Sequence, residues 1–413
     1  MSGYDPLSLW PCEDGGPGRL QHVPVEVLDP PRHRAWRVTT RRTLMSTMTL
    51  AGKPGEMFLL THSAIRANFG LPTSASVERI DPVTLETKVR SERLPGGPMW
   101  PGGMALHANG DLYVAYGRWL HRLDRDTMGV KAALKLPVNE PHNSLVILDN
   151  GLIVTKNLSR TTPARLNLID PETMQPVGPA TMAEEPSVAR LSARGNSVWL
   201  VGADSLMRFH LNGDRLVADP RWRCRYRAGS GRTHGWDVVL GHQHAWFMDN
   251  GEHRYRTHMV GRGVANSSNR LIRVALDDAE DWDAVEVSGL ASGSITNPPL
   301  WDEKRQIIVA FDSANRVMRA WRFHDAGRRL EPLWQRADLG VASHMLLWSQ
   351  SGLIATNDWD GREHVVLIDI ENGETVKRVD TGGRMQGVVF PAPGWDGDFY
   401  WCSMDRLSRI SLV

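Results

Sequence analysis

One short pattern recurs along the chain and restricts the possible folds more than any other feature. It is a turn, then four or five mostly apolar residues, then a polar cluster. The copies are residues 56–60, 111–115, 151–155, 197–201, 244–248, 306–310, 352–356 and 398–402. Most copies follow one another at intervals in the forties, with two longer steps before 111 and 306. Short β-branched and aromatic runs predict strands, and this period is typical of four-stranded propeller blades.

Tight turns separate these runs from neighbouring strands. Asn109-Gly110 and Asn150-Gly151 predict hairpins between the first and second strands of a unit. Asp81-Pro82 and Asp170-Pro171 predict turns into a fourth strand, because Asp and Pro favour a type I turn. No helical periodicity of useful length competes. The sequence therefore predicts an all-β, eight-bladed β-propeller, with a seven-bladed ring as the alternative.

The two ends of the chain predict how the ring closes. The last unit stops after its third strand, at residues 407–413, and segment 35–40 near the amino terminus has strand character. Pairing the two would complete the last blade and remove an open sheet edge. Residues 1–30 are rich in Pro and Gly, so we expect an irregular segment there and a single propeller domain over 31–413.

Composition argues against several classes of function. The net charge is +1, so no overall field attracts DNA or an anionic membrane, and the basic stretch 221–227 alternates as an outer strand would. No apolar run approaches the length of a membrane span, and the first residues do not resemble a secretory signal. The three cysteines are far apart, unlike a disulfide framework or a thiolate zinc site. We expect a cytoplasmic protein with a small-molecule substrate and no nucleic-acid or membrane partner; the oligomeric state stays open.

Histidines mark one face of the predicted ring. His142, His234 and His344 stand where the inner strands of alternate blades begin, which predicts that they surround the central axis. His62, at the end of a second strand, is the nearest candidate for the fourth quarter. Neutral imidazoles bind transition metals well, so these four residues are predicted ligands of a divalent metal ion. The alternative is that they cap strands or bind water in a polar channel.

Acidic residues accompany the histidines on that face. Glu140 and Asp237 precede inner strands, whereas Asp249 and Asp312 follow second strands. These four are the candidate catalytic residues, since a carboxylate beside a histidine can orient a metal ligand or act as a general base. The same residue types are also favoured wherever a strand ends in a turn. Two long connections, 65–76 and 251–268, are predicted to overhang the same opening.

The Asp-Pro-x-Thr turns and Asn-Gly hairpins resemble those of the broad quinoprotein-like and lactonase-like propeller superfamilies. The resemblance spans nearly the whole chain but rests on structural residues, so it implies a fold and not an activity. The Trp-docking motif of quinoprotein dehydrogenases, Thr-Gly-x-x-x-Trp, is missing. Calcium lactonases of the paraoxonase and gluconolactonase type place Glu, Asn and Asp around the axis. Three tripeptides occupy similar positions here, but that family's opening Glu has no counterpart: Pro141-His142-Asn143, Thr233-His234-Gly235 and Thr296-Asn297-Pro298.

Three functions fit these patterns. The first is a metal-dependent enzyme that acts on a small, possibly carboxylated molecule by hydrolysis or elimination. The second is an oxidoreductase with iron or copper held by histidines. The third is a propeller that only binds partners.

Overall fold

The computed structural model of the chain describes residues 3–24, 35–96, 102–142, 144–227, 231–254, 262–386 and 388–412. Eight antiparallel sheets of four or five strands follow one another as the blades of a propeller. Blade 1 contains strands Ser46–Ala51, Met57–His62, Ser74–Ile80, Thr87–Arg90 and Leu94–Pro95, and blade 2 contains Gly103–Leu106, Leu112–Tyr116, Trp119–Leu123 and Val130–Lys135. Blade 3 contains Leu145–Ile147, Ile153–Lys156, Pro163–Asp170, Gln175–Pro176 and Thr181–Pro186. Blade 4 contains Ser192–Arg194, Ser197–Val201, Leu206–Asn212 and Arg215–Cys224.

Blades 5 to 8 complete the ring, which confirms the eight-bladed prediction over the seven-bladed alternative. Blade 5 contains strands Val239–Leu240, His244–Met248, Arg270–Ala275 and Trp282–Glu286, and blade 6 contains Leu300–Asp302, Ile307–Asp312, Val317–His324 and Arg329–Arg336. Blade 7 contains Leu346–Trp348, Leu353–Trp359, Glu363–Asp369 and Thr375–Gly383. Blade 8 contains Ala392–Pro393, Phe399–Ser403, Arg406–Leu412 and Trp36–Arg42. The remaining elements are a small hairpin, His253–Arg254 with Arg262–Gly263, and two 3₁₀ turns, Glu13–Gly15 and Ala64–Phe69. Among the described residues, no helix is long and apolar enough to cross a membrane.

The amino-terminal strand closes the ring. Trp36–Arg42 pairs antiparallel with Arg406–Leu412, from Trp36 opposite Leu412 to Arg42 opposite Arg406. The Trp36 ring also packs edge-on against Phe399 of the same blade, with ring centroids 6.4 Å apart. The first and last parts of the chain therefore share one sheet, in which the amino-terminal strand covers the edge of Arg406–Leu412.

Replacing Trp36 with Ala should lower the free energy of unfolding by about 1–2 kcal/mol, because a half-buried aromatic side chain loses its apolar contact with Phe399. Urea unfolding measures the change. Arg37→Ala is the matched control, since Arg37 is exposed on the same strand and should change stability little. Equal midpoints for the two variants would mean that this strand adds little to ring closure.

The turns form by local hydrogen bonding, as the sequence predicts. Asp81 Oδ1 accepts the backbone N–H groups of Val83 and Thr84, both at 2.9 Å, and this bonding with that from Lys88 lowers the pKa of Asp81. Asp170 accepts the N–H groups of Glu172 and Thr173 in the same way. The face of the ring that carries these turns is called the hairpin face below. The inner strands begin on the other face, which is called the top face.

Apolar side chains fill the spaces between neighbouring blades. The Trp246 and Trp301 rings stack at 5.0 Å between blades 5 and 6, and Trp348 meets Phe399 at 5.4 Å between blades 7 and 8. Because the core lies between the blades, the residues that begin the inner strands are left to face the axis. The top face and the axis are therefore where polar chemistry can collect.

Both long connections join a second strand to a third strand, so both leave from the top face. The first contains the 3₁₀ turn Ala64–Phe69. The second carries the small hairpin, and its residues 255–261 lie outside the described part of the chain. Glu252 in this connection contacts Arg160 of blade 3 at 3.1 Å, so the blade 5 insertion reaches across blade 4. The first insertion borders a pocket that is described below, and its predicted overhang of the opening stays a prediction.

Candidate functional site at the propeller axis

The amino-terminal segment lies inside the ring. Residues 10–23, called the axial plug here, contact the inner strands of most blades. Backbone contacts join Trp10 to Ala51, Cys12 to Ala105, Pro17 to Ala193, Gly18 to Leu240 and His22 to Leu347, in blades 1, 2, 4, 5 and 7. The segment predicted to be irregular is thus without regular secondary structure apart from one 3₁₀ turn, but it is bound along the axis. The plug supplies backbone partners to inner strands and carries charged residues into the centre.

Three charged side chains of the plug form a buried network. Arg19 donates to Glu13 at 3.0 Å and to Asp14 at 2.8 Å, and its side chain is 3% exposed. His344 of blade 7 contacts Asp14 at 2.6 Å, and Arg190 of blade 4 contacts Glu13 at 2.7 Å. Burial alone would raise the pKa of Asp14, but His344 and Arg19 outweigh it and lower that pKa. The plug is therefore ion-paired to the ring that surrounds it.

Arg190 contacts residues of blades 5 and 8 as well as the plug. Its backbone N–H donates to Asp237 Oδ1 at 2.6 Å, and its guanidinium lies 4.3 Å from the centre of the Phe390 ring. Asp237 is fully buried, and its Oδ2 lies 4.0 Å from the Arg190 side chain. Both residues begin inner strands, so the propeller topology brings blades 4, 5 and 8 together at this point.

Lys156 is the second cation at the axis. It is the last residue of a second strand, and its Nζ lies 3.2 Å from the Ser187 carbonyl oxygen and 3.3 Å from that of Asn157. Burial lowers the pKa of Lys156 to about 7; Asp237 and Glu140 act in the opposite direction, and Arg190 lowers it further. Near neutral pH this side chain is thus a mixture of ammonium and free amine.

Glu140 and His142 lie beside Lys156. Asn157 Nδ2 donates to Glu140 Oε2 at 2.5 Å, and His142 Nδ1 lies 2.9 Å from the Glu140 carbonyl oxygen. A carbonyl oxygen only accepts, so Nδ1 carries the ring proton. Burial lowers the pKa of His142 to about 4, which keeps the ring neutral. His142 Nε2 is then a buried lone pair with no hydrogen-bond donor among the described residues. Glu140, His142, Lys156, Arg190 and Asp237 are called the axial cluster below.

The other predicted metal ligands are placed differently. His234 stacks on Trp236 at 6.1 Å, and its Nδ1 lies 3.2 Å from the Gly235 carbonyl oxygen. His344 is bound to the plug, as described above. His62 borders a separate pocket between blades 8 and 1. Burial lowers the pKa values of His62 and His234 to about 4, so both rings are neutral.

The donor set at the axis does not fit a resident metal ion. In the described part of the chain, no group of three or more His, Cys, Asp or Glu side chains could hold one. The carboxylates closest to the axis already have cationic or imidazole partners: Glu13 and Asp237 contact Arg190, and Asp14 contacts Arg19 and His344. The prediction that His142, His234 and His344 share one metal with His62 therefore has no support in this geometry.

Two of the predicted catalytic carboxylates, Asp249 and Asp312, cap the ends of strands. Asp249 accepts the backbone N–H of Arg270 at 2.6 Å and its Nε at 2.8 Å. Asp312 accepts from Ser288 at 2.5 Å and from the backbone of Ser294 at 3.1 Å. These contacts describe strand caps, which is the alternative that the sequence had left open. They do not favour a catalytic role for either residue, whereas Glu140 and Asp237 do lie at the axial cluster.

Sequence reasoning missed Lys156, Arg190 and the charges of the plug. The sequence does mark Lys156 as a residue near the axis. It directly follows the second-strand residues Ile153-Val154-Thr155, at a position where other blades carry polar capping residues. Arg190 likewise precedes an inner strand, at a position where the sequence-based candidates were His, acidic and amide residues. Nothing in the sequence of residues 10–23 indicates that the segment enters the ring.

Comparisons with known proteins concern the fold. No family model and no curated protein matches the sequence. A quinohemoprotein alcohol dehydrogenase from Comamonas testosteroni matches with a TM-score of 0.66 and 10% identity, over 99% of this chain and 81% of that chain. A europium-containing methanol dehydrogenase gives 0.62 and 10% over 96% and 89%, and BamB from Moraxella catarrhalis gives 0.59 and 13% over 91% and 98%. At such identities the likeness is one of fold alone, and that fold is a β-propeller.

Proposed function

We propose that the chain is an enzyme that binds a small carbonyl compound at the axial cluster and uses the amine of Lys156 as a general base. The observation that carries this proposal is the buried Lys156, whose pKa is lowered to about 7 beside Glu140, His142 and Asp237. A lysine with such a pKa supplies a free amine at neutral pH, which is the requirement for a general base or a Schiff-base lysine. An ordinary surface lysine stays protonated there.

The neighbours of Lys156 suit the removal of a proton next to a carbonyl group. When Lys156 takes up the proton it becomes an ammonium ion, and the negative charges of Asp237 and Glu140 favour that form. His142 Nε2 would accept a hydrogen bond from a substrate hydroxyl or water. The reaction class that fits best is elimination: Lys156 takes the proton from the carbon next to the carbonyl group, the electron pair forms a carbon–carbon double bond, and a substituent on the following carbon leaves as an anion. This keeps the small-molecule substrate of the sequence-based hypothesis but assigns the base to Lys156 instead of a metal-bound water.

Lys156 should show its lowered pKa in a chemical labelling experiment. Brief treatment of the folded protein with acetic anhydride between pH 6 and 10, followed by mass spectrometry of peptides, measures the reactivity of each amine. We expect the reactivity of Lys156 to level off above about pH 8, while exposed lysines such as Lys88 continue to gain reactivity toward about pH 10.

The labelling result also decides between functions. If Lys156 is not labelled while the protein stays folded, no small molecule reaches the cluster and the proposed chemistry fails. If the reactivity of Lys156 rose over the same pH range as that of the exposed lysines, the lowered pKa and the proposed chemistry would also be contradicted. Once a substrate is found, Lys156→Met should abolish turnover, whereas Lys88→Met, a matched change at an exposed site, should not.

A non-catalytic binding protein is the second candidate, because of the axial plug. The plug fills the centre of the ring with the chain's own residues and is tied to it by buried ion pairs. A rigid ring of this kind suits a scaffold that binds partners on its faces. The histidine-ligated iron or copper oxidoreductase has less support, since it would need the ligand group that the described residues do not form. A cytoplasmic location, with Cys12, Cys224 and Cys402 as free thiols, is part of the same proposal.

A further inference from the structure

A pocket of about 650 Å³ lies on the top face where blade 8 meets blade 1. Its volume is in the range typical of small-molecule sites. Among the described residues, five arginines line it against one acidic residue, Glu78, so the formal charge of this lining is 5 − 1 = +4: Arg41, Arg42, Arg66, Arg90 and Arg93. This pocket, called the arginine pocket here, shares no residue with the axial cluster.

The charges in the arginine pocket are only partly neutralised. Glu78 is bound by Arg41 at 2.9 Å and by Arg90 at 2.5 Å, and it also accepts from Thr87 at 2.5 Å. Within the part of the chain that the structure describes, the other three arginines form no ion pair. Glu78 is therefore saturated, and most of the positive charge faces the pocket without a counterion.

Buried hydrogen-bond donors in the pocket lack acceptors. His62 is 5% exposed, and its Nδ1 accepts the backbone N–H of Ala64 at 3.2 Å, so in a neutral ring the proton is on Nε2. Burial lowers the pKa of His62 to about 4, which keeps the ring neutral. Nε2 then donates to no described residue, and the same holds for Nε and Nη2 of Arg41. Buried polar groups in native proteins are normally paired, so three such donors on two residues that line one pocket indicate a missing acceptor.

These donors are inaccessible to water, so an anion in the pocket would accept from them once neighbouring side chains shift. A phosphate group has the multiple oxygens and charge that several arginines favour. The rim of the pocket is apolar: Leu44 is 68% exposed and Ile65 is 42% exposed, and both line it. We propose that the arginine pocket binds the phosphate group of a small molecule or a lipid whose apolar part lies against Leu44 and Ile65. This site is independent of the function proposed for Lys156.

Binding can be measured by calorimetry with pyrophosphate, with a soluble short-chain phosphatidic acid, and with citrate as a carboxylate probe. We expect saturable binding of at least one phosphate probe, about tenfold weaker in the Arg66→Gln/Arg93→Gln double variant, because two charge-assisted contacts are lost. Both arginines are exposed, so the fold should persist. Arg329→Gln/Arg362→Gln is the matched control: it removes the same charge from exposed sites outside the pocket and should change affinity less than about twofold.

His62 provides a test that leaves the net charge unchanged. His62→Phe removes the donor and should weaken phosphate binding, whereas His62→Gln keeps an N–H donor and should restore part of it. Sedimentation with phosphatidylcholine vesicles, with and without phosphatidic acid, shows whether the bound phosphate group belongs to a lipid or to a soluble small molecule. Binding to the vesicles that exceeds binding to the soluble probes indicates a lipid. Absence of saturable binding to any phosphate probe or vesicle, equal loss in the control, or citrate binding as tight as pyrophosphate binding would each overturn the proposal.

Discussion

Replacing Arg19 with Ala is expected to lower the free energy of unfolding by about 3–5 kcal/mol, because the buried carboxylates Glu13 and Asp14 would each lose one partner and be left with Arg190 and His344. Both carboxylates are nearly inaccessible in the axial plug, so water cannot replace the guanidinium. Arg19 also donates to the Leu191 carbonyl oxygen and to Ser144, and the substitution removes both bonds. Urea unfolding monitored by tryptophan fluorescence measures the loss.

Two further variants distinguish the effect of leaving buried charge unpaired from the effect of removing side-chain atoms. Arg19→Met with Glu13→Gln removes one charge of each sign and should be less destabilised than Arg19→Ala, since less uncompensated charge stays buried. Arg329→Ala, at a side chain that is 64% exposed, should have nearly wild-type stability. If Arg19→Ala unfolds at the same urea concentration as Arg329→Ala, the plug is not an integral part of the ring.

Acid should unfold the protein well above the pKa of its carboxylates. Burial lowers the pKa of His62, His121, His142 and His234 to about 4 in the folded state. In the unfolded chain these residues titrate near 6.5, so below that pH the unfolded state binds more protons. The stability that they contribute is complete above about pH 6.5 and is lost as the pH falls toward 4. Each histidine contributes roughly 3 kcal/mol to this loss, on the order of 10 kcal/mol together.

A loss of that size approaches the whole stability of a typical domain, so unfolding near pH 5 is expected. Urea unfolding at pH 7.5, 6.5 and 5.5 gives the slope, which should correspond to several protons taken up on unfolding. His121→Gln should reduce this uptake by about one proton, because burial keeps the ring of His121 neutral in the folded state and Gln does not titrate. Arg329→Gln is the control and should leave the slope unchanged. A flat dependence between pH 7.5 and 5.5 would show that these rings are not held neutral by burial.

The propeller could be predicted because its signals are local. Asp81 and Asp170 make turns with residues two and three positions away, and Gly110 has a φ of +90° at the hairpin where Asn109-Gly110 predicts one. Such turns, together with alternating apolar strands, are set within about a dozen residues. Even the distant pairing of Trp36–Arg42 with the last strand could be predicted, since the last unit was one strand short.

The site was predicted only where topology alone places a residue. Glu140, Asp237 and His344 lie at the axis because each stands just before an inner strand of its blade. Asp249 and Asp312 follow second strands, where neighbouring backbone and hydroxyl groups use them as caps. Sequence cannot separate these two cases, because a carboxylate beside a turn is chemically suited to both.

The sequence by itself determined the propeller fold and the strand that closes the ring, and it favoured eight blades over seven, because these depend on turn chemistry and strand periodicity. Only the tertiary structure decided that residues 10–23 occupy the axis, since that placement depends on contacts with residues from Ala51 to Leu347. The same is true of the lowered pKa of Lys156. Burial and the charges of Arg190, Asp237 and Glu140 set that pKa, and the ring brings these side chains together from separate blades.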